Sequence, residues 1–169
     1  MRSVLLLTAL LVLAGCVSTY KQNVVSQPVG RLERGKAVLV GTPKSGSYEA
    51  KQYPASGPQT AAAVRAAFAR FTNRVAVSPC GDLQCLQAEG ASSYDYFVVP
   101  EILHWEDRNT EWSGLPDRIE VKLIVLSARS RAEIASAIVS GKSKWATFGG
   151  DHPEDLLTDP IERYVGSLY

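Results

Sequence analysis

The chain has 169 residues, of which 18 are basic, 17 are acidic and 46% are hydrophobic. The two signs of charge nearly balance and no run of basic residues occurs, so the composition does not support a nucleic-acid partner or binding to an anionic lipid surface. This length is enough for one domain with its own hydrophobic core, since domains commonly have about 100 to 150 residues.

The amino-terminal end has the parts of an export signal. Arg2 precedes the apolar run Val4–Leu13, and the small residues Ala14 and Gly15 stand just before Cys16. The run is too short to span a bilayer comfortably, whereas a charged start, an apolar core and small residues at the cut are typical of a secretory signal peptide. The pattern resembles the lipobox of bacterial lipoproteins. We therefore predict cleavage after residue 15 and acylation, such as palmitate, on the new terminal cysteine; the alternative is an uncleaved hydrophobic anchor.

Lipid on Cys16 would hold the protein on a membrane without spanning it. In Gram-negative lipoproteins an aspartate after the cysteine is the usual cue for retention at the inner membrane, and this chain has Val17 there. We therefore expect the outer membrane, with the protein facing the periplasm. Residues 16–36 contain Pro28 and Gly30 and lack sustained periodicity, which predicts a flexible tether. Residues 37–169 are expected to form one periplasmic domain.

The two remaining cysteines, Cys80 and Cys85, are close in sequence, and in an oxidising compartment they predict a disulfide. A zinc site would need two further ligands, for which His104 and His152 are the only imidazoles, both far along the chain. A catalytic redox pair is disfavoured because the spacing is not Cys-x-x-Cys. No metal and no cofactor are therefore predicted.

The hydrophobic periodicity predicts alternating elements at first and a meander later. The first half of the chain has a strand at 37–41, a loop at 44–58, a helix at 59–71, a strand at 74–78 and a short helix at 83–91. Three strands follow, at 94–105 with an interruption at Pro100, at 117–127 and at 133–145. The last helix starts at Asp151, with Glu154 closing its cap, and restarts at 158. This order predicts a single α/β (α+β) domain, a mixed sheet of about five strands with helices packed on it.

The predicted strand after Asp117 alternates cleanly between two faces. One face is apolar throughout, whereas the other begins with the charged Glu120 and ends with the apolar Leu126. We expect a helix to cover only the later part of this second face, so that the end near Glu120 stays open to solvent.

The second half of the chain carries distinctive motifs. They are the runs 94–108, 111–118, 140–153 and 164–169. These runs resemble the uncharacterised bacterial lipoprotein family called domain of unknown function 4823. The element order is also similar to that of TolB-type amino-terminal domains and curli-secretion lipoproteins, which act in envelope assembly through protein contacts. The resemblance implies an envelope lipoprotein and implies no particular activity.

The segment 104–112 combines two tryptophans, carboxylates and an imidazole in a predicted connection between strands. Exposed aromatic side chains beside charges are typical of a binding surface. The alternative is that both tryptophans cap the sheet locally. We expect Trp105 to be structural, because it ends a buried strand, and Trp112 to be exposed. With a second candidate segment at 142–152, the predicted contact residues are Trp105, Glu106, Asp107, Glu111, Trp112, Lys142, Lys144 and His152.

These features predict a non-enzymatic lipoprotein that binds or assembles with an envelope protein or cell-wall partner and no nucleic acid. The alternative is a cell-wall hydrolase or metal-dependent enzyme with His104, Glu106 and His152 near its centre. Carboxylates in one sequence do not establish the separation that glycoside hydrolysis requires. The enzyme hypothesis therefore requires that these three side chains converge in the fold.

Overall fold

The computed structural model describes residues 18–90, 92–108, 115–144 and 152–169. No helix within these ranges is long and apolar enough to cross a membrane. In chain order the elements are β1 (Thr19–Ser26), β2 (Val38–Gly41), β3 (Ser47–Tyr48), β4 (Lys51–Gln52), α1 (Ser56–Ala69), β5 (Val75–Ser78), α2 (Leu83–Gly90), β6 (Tyr96–Glu106), β7 (Arg118–Ser127), β8 (Glu133–Lys142), a 3₁₀ helix (Pro153–Leu156) and α3 (Thr158–Ser167).

One mixed sheet of six strands organises the domain, in the order β1-β8-β7-β6-β2-β5. Strands β6, β7 and β8 form an antiparallel meander, and β1 adds antiparallel to β8. Strand β2 is parallel to both β5 and β6, while β3 and β4 form a separate small hairpin. The predicted single α/β domain with a mixed sheet and packed helices is therefore confirmed.

The sixth strand, β1, corrects the predicted tether. Its pairing with β8 runs from Thr19 opposite Lys142 to Ser26 opposite Ser136. Most of its side chains are exposed, so it lacks the apolar alternation by which a half-buried strand is recognised. Farther on, the Leu32 side chain is buried and its N–H donates to a carboxy-terminal carbonyl at 2.8 Å. Contacts of the domain therefore begin at Thr19, well before residue 37.

Helices α1 and α3 pack on one face of the sheet and enclose the main core. The alanine-rich α1 brings Val64 and Phe68 against the sheet, and α3 brings Ile161 and Val165. The opposing side chains come from alternate positions of β2, β6, β7 and β8. Alternation places every second side chain of a strand on the same face, so this face collects the apolar set that the sequence predicts for β7.

The opposite face of the sheet is only partly covered. Helix α2 lies over one end of it, where Leu86 packs with Leu39, Phe97 and Leu126. The Cys80–Cys85 disulfide ties the segment after β5 to α2, with Cα atoms 5.4 Å apart. A helix thus covers the later part of β7, as predicted, and leaves Glu120 exposed.

Two predicted boundaries differ from the structure. Helix α1 begins at Ser56 and not near residue 59, because the Ser56 hydroxyl fastens the preceding loop: it accepts from Gly46 N–H and donates to the Tyr53 carbonyl, both at 2.7 Å. The second difference is that β6 runs unbroken through Pro100. The pairing of β6 with β2 ends at Val98. On that side no described strand therefore needs a hydrogen bond from Pro100.

The last predicted helix begins differently as well. Asp151, its predicted cap, lies outside the described residues. The chain enters a 3₁₀ helix at Pro153, and Asp155 rather than Glu154 closes the turn, because its Oδ2 accepts from His152 N–H at 3.1 Å. The restart at Thr158 is confirmed as α3.

Candidate functional site

Helix α2 leaves part of the sheet face opposite α1 and α3 uncovered, and we call this part the open half. Its side chains come from β1, β8, β7 and the end of β6, and together with their backbone they line a cavity of about 580 Å³. The side chains are Thr19, Lys21, His104, Arg118, Glu120, Ser140 and Lys142. All seven are charged or polar, in contrast to the apolar cluster under α2.

The strand register arranges these side chains in two rows. The first row contains Thr19, Lys142, Arg118 and Glu106 on successive strands. The second row contains Lys21, Ser140, Glu120 and His104. Neighbouring strands lie about 4.7 to 4.9 Å apart, so adjacent members of a row are within reach of each other's charges.

At the β6 end of these rows, Glu106 is held in a polar cluster and is only 4% exposed. His104 Nε2 lies 3.0 Å from its Oε2, and Arg108 Nε donates to its Oε1. Burial raises the pKa of this carboxyl, but the hydrogen bonds and charges of His104 and Arg108 together outweigh burial and leave the pKa below its ordinary value. Glu106 is therefore a carboxylate whose two oxygens are both occupied.

The β3–β4 hairpin closes over this cluster. Arg108 Nη2 donates to the Tyr48 hydroxyl at 2.9 Å, and the Tyr48 ring meets the His104 ring edge-on with centroids 5.3 Å apart. On the same hairpin Lys51 Nζ lies 3.2 Å from Asp107 Oδ2. Two of the predicted contact residues, Glu106 and Asp107, are thus engaged by their own chain.

Trp105 is 1% exposed and belongs to the main core. A Cβ atom added to Gly46 would lie 2.7 Å from the Cβ of Trp105. The backbone of the loop at Gly46 therefore packs directly against Trp105. This burial confirms the structural role that was expected of Trp105, and so buried a ring cannot be one of the contact residues. Glu111 and Trp112 lie outside the described residues.

The predicted contact residues of the second segment are less buried. Lys142 is exposed at the end of β8, in the open half, and Lys144 follows it half-buried. His152 is exposed beside the 3₁₀ helix. Among the described residues no group of three or more His, Cys, Asp or Glu side chains could hold a metal ion. Of the three side chains in the enzyme hypothesis, the described contacts join only His104 and Glu106.

Four strand termini meet at one end of the sheet. Strand β6 ends at Glu106, β7 begins at Arg118, β8 ends at Lys142 and β1 begins at Thr19, and the register places all four side by side. Cys16 precedes Thr19 by three residues, which span at most about 10 Å when fully extended. Only this short stretch of chain therefore separates the predicted lipidation site from the first residue of the open half.

No sequence pattern marks Lys21, Arg118, Glu120 and Ser140 as a group. Each lies on a different strand or is separated from the next by an apolar residue, so no basic run marks them. The signal that could have found them is the pairing of β1 with β8 and β7, because register alone brings them together.

These features define an α/β domain with a half-covered mixed sheet. The chain belongs to the family described as "Domain of unknown function (DUF4823)". The family model matches residues 30–168. A comparison with curated protein sequences finds no match.

Solved structures share this fold at low sequence identity. The chain is similar to the PelC dodecamer from Paraburkholderia phytofirmans, with 15% identity, a TM-score of 0.67, and coverage of 90% of this chain and 98% of that one. It is also similar to protein XCC0632 from Xanthomonas campestris, described by the family model DUF330, with 15% identity, a TM-score of 0.53, and coverage of 85% and 93%. At these identities the likeness concerns the fold alone.

Proposed function

We propose that the protein is a lipid-anchored lipoprotein of the bacterial envelope that binds a partner at the membrane surface without catalysing a reaction. One observation carries this proposal: β1 begins three residues after Cys16, at the end of the sheet where Arg118 and Lys142 meet. Lipid on Cys16 would therefore hold the open half within about 10 Å of the bilayer.

The state of Glu106 supports binding over catalysis. A general acid must carry a proton near neutral pH, whereas the pKa of Glu106 is below its ordinary value because His104 and Arg108 stabilise the carboxylate. Both of its oxygens already have protein partners and the side chain is only 4% exposed, so a substrate has little access to it. The contact between His104 and Glu106 is better explained as a structural support for the end of β6.

The compartment in this proposal is the periplasmic side of the outer membrane. The Cys80–Cys85 disulfide supports an oxidising space, because such bonds are rare where thiols are kept reduced. Val17 in place of an aspartate after Cys16 supports the outer rather than the inner membrane.

Site-specific photocrosslinking in intact cells tests the proposal. A photoreactive residue at Lys21 or Ser140, both in the open half, should give crosslinked products, whereas one at Ser92 or Arg129, at the far end of the sheet, should give few. Cys16→Ser should block acylation and processing and should remove the open-half products. Equal crosslinking from both ends, or acyl-free mature wild-type protein, would contradict the proposal.

A second candidate is self-assembly, for which β1 is the relevant observation. It has eight residues, and within the described ranges only β8 pairs with it; such an edge presents unpaired N–H and C=O groups to another chain. A protein of similar fold is described as a dodecamer. Light scattering after size exclusion should find an oligomer that Val25→Lys in β1 weakens and Val29→Lys, outside any strand, does not. A wild-type monomer would contradict this candidate.

A further inference from the structure

We infer that the open half binds the phosphate groups of anionic lipid headgroups, through Lys21, Arg118 and Lys142. The inference rests on the proposed function in one respect: lipid on Cys16 is what would bring these cations to a headgroup layer. It goes further by naming the chemistry that the open half recognises.

The first reason is a pair of like charges at the centre of the open half. Arg118 and Lys142 are directly opposite each other in the β7–β8 register, and both are exposed on the same face. Like charges directly opposite across two strands destabilise a sheet. A counter-charge from outside the fold would remove this penalty.

The second reason is that the described chain supplies no sufficient counter-charge. Arg118 is opposite Glu106 on its other side, but both oxygens of that carboxylate are bound by His104 and Arg108. Glu120 is the one carboxylate that lines the cavity with Lys21, Arg118 and Lys142 among the described residues. Among the described residues, three cations therefore share one carboxylate, and this lining has excess positive charge.

The same sheet face contains a contrasting pair farther from this end. Lys122, two positions after Glu120 on β7, lies opposite Glu101 of β6 and its Nζ is 3.6 Å from Glu101 Oε2. In that row the cation has its acid on the neighbouring strand. Within the described ranges none of the three cavity cations has such an ion pair. On this sheet face the matched pair lies away from the end where β1 begins, and the three cavity cations lie at that end.

The chemistry of the cavity suits a phosphate. The guanidinium of Arg118 can present two parallel N–H donors to phosphate oxygens, and the ammonium groups of Lys21 and Lys142 add compact charges. The hydroxyls of Thr19 and Ser140 line the same cavity and can donate as well. A volume of about 580 Å³ accommodates one headgroup.

The short distance between the cavity and the proposed lipid anchor favours a lipid as the source of the phosphate. Headgroups would surround an anchored Cys16 permanently, so their effective concentration at a site about 10 Å away would be high. Each Lys or Arg near an anionic bilayer strengthens binding by about fivefold. The three cavity cations together are therefore sufficient to orient the domain on such a surface.

The test uses vesicles and the acyl-free chain that begins at Val17, which contains every element of the described fold. Flotation should show binding to phosphatidylcholine vesicles that contain phosphatidylglycerol and not to phosphatidylcholine alone, and added salt should weaken it. Arg118→Gln and Lys142→Gln should each weaken binding about fivefold, with unchanged thermal unfolding. The matched controls Lys122→Gln, on the same face, and Arg129→Gln, at the far end, should bind like wild type.

Three results would overturn the inference: no binding to either vesicle, equal binding to both, or equal loss in the control variants. Displacement by inorganic phosphate, beyond that caused by chloride at equal ionic strength, would identify a small free anion as the ligand and would also overturn it. Because the chain lacks acyl groups, a negative result would leave the anchoring and partner binding of the proposed function intact. Mass spectrometry of mature protein from cells tests that anchoring separately.

Discussion

The two halves of one sheet face differ in what lies above them. Strands β6 and β7 run through both halves, yet Phe97 and Leu126 are buried under α2 in one half, whereas Arg118 is exposed in the other. In the covered half the side chains stabilise the fold by being removed from water. In the open half Arg118 faces another cation, Lys142, which stability does not explain. Packing therefore explains the covered half, whereas the open half requires another explanation, for which we propose binding.

The largest effect is expected in the covered half. Phe97→Ala removes a fully buried ring from the cluster beneath α2 and should lower the free energy of unfolding by about 3 to 5 kcal/mol, because a cavity remains. Chemical denaturation measures this loss, with Phe97→Leu as the milder control. A loss below about 1 kcal/mol would mean that α2 does not enclose a working core.

Glu106, at the edge of the open half, should have the next largest effect. Glu106→Gln keeps the shape but weakens the hydrogen bonds from His104 and Arg108, which should cost about 1.5 to 3 kcal/mol of unfolding free energy at neutral pH. The exposed Glu101→Gln, whose partner is Lys122, serves as the control and should cost less than about 1 kcal/mol.

The pH dependence sharpens this prediction. Because the pKa of folded Glu106 lies below its ordinary value of 4.5, its stabilisation is complete above that value and is lost as the pH falls through the folded pKa. Wild type and Glu106→Gln should therefore converge in stability in acid. A difference that persists unchanged there would contradict the ionised state assigned to this carboxyl.

The disulfide beside α2 should contribute a smaller amount. Replacing Cys80 and Cys85 together by serine removes a bridge over a short loop, and the chain-entropy relation gives a loss of about 2 kcal/mol. Calorimetry with and without reductant measures it: reductant should lower the wild-type stability by the same amount and leave the double variant unchanged. A double variant as stable as oxidised wild type would show that α2 does not depend on the bridge.

The smallest effect on stability is expected in the open half, where the sign of the change in unfolding free energy is the informative result. Lys142→Ala should leave the unfolding free energy within about 0.5 kcal/mol of wild type or raise it, because it relieves the repulsion with Arg118. Lys122→Ala, which breaks a favourable pair with Glu101, should lower it slightly. A clear loss of stability in Lys142→Ala would show that this cation is structural.

Much of the fold could be predicted because burial leaves a periodic record in the sequence. The alternation of β7 predicted both its buried face and the limited reach of α2, since Glu120 and Leu126 occupy the same face in different surroundings. Strand β1 leaves no such record, because most of its side chains are exposed and its backbone hydrogen bonds hold it in place. A tether and a polar edge strand have the same composition.

The candidate site was less predictable for a related reason. Glu106 was selected for its chemical character, but the structure buries it, as it buries Trp105, for which a structural role was expected. Lys21, Arg118 and Lys142 were not selected as a set, because they are more than 20 residues apart from one another in sequence and only the register of three strands unites them. Composition described the chain as electrically balanced, whereas the fold separates the charges.

Hydrogen exchange on the acylated protein most directly tests whether the open half is the surface that contacts the membrane. The same protein is measured in neutral detergent and on vesicles that contain phosphatidylglycerol. Exchange should slow on the vesicles in β1 and at the Lys142 end of β8, and it should be unchanged in α2 and around Arg129 at the far end. Slower exchange in α2 and the far end, with β1 unchanged, would contradict the account.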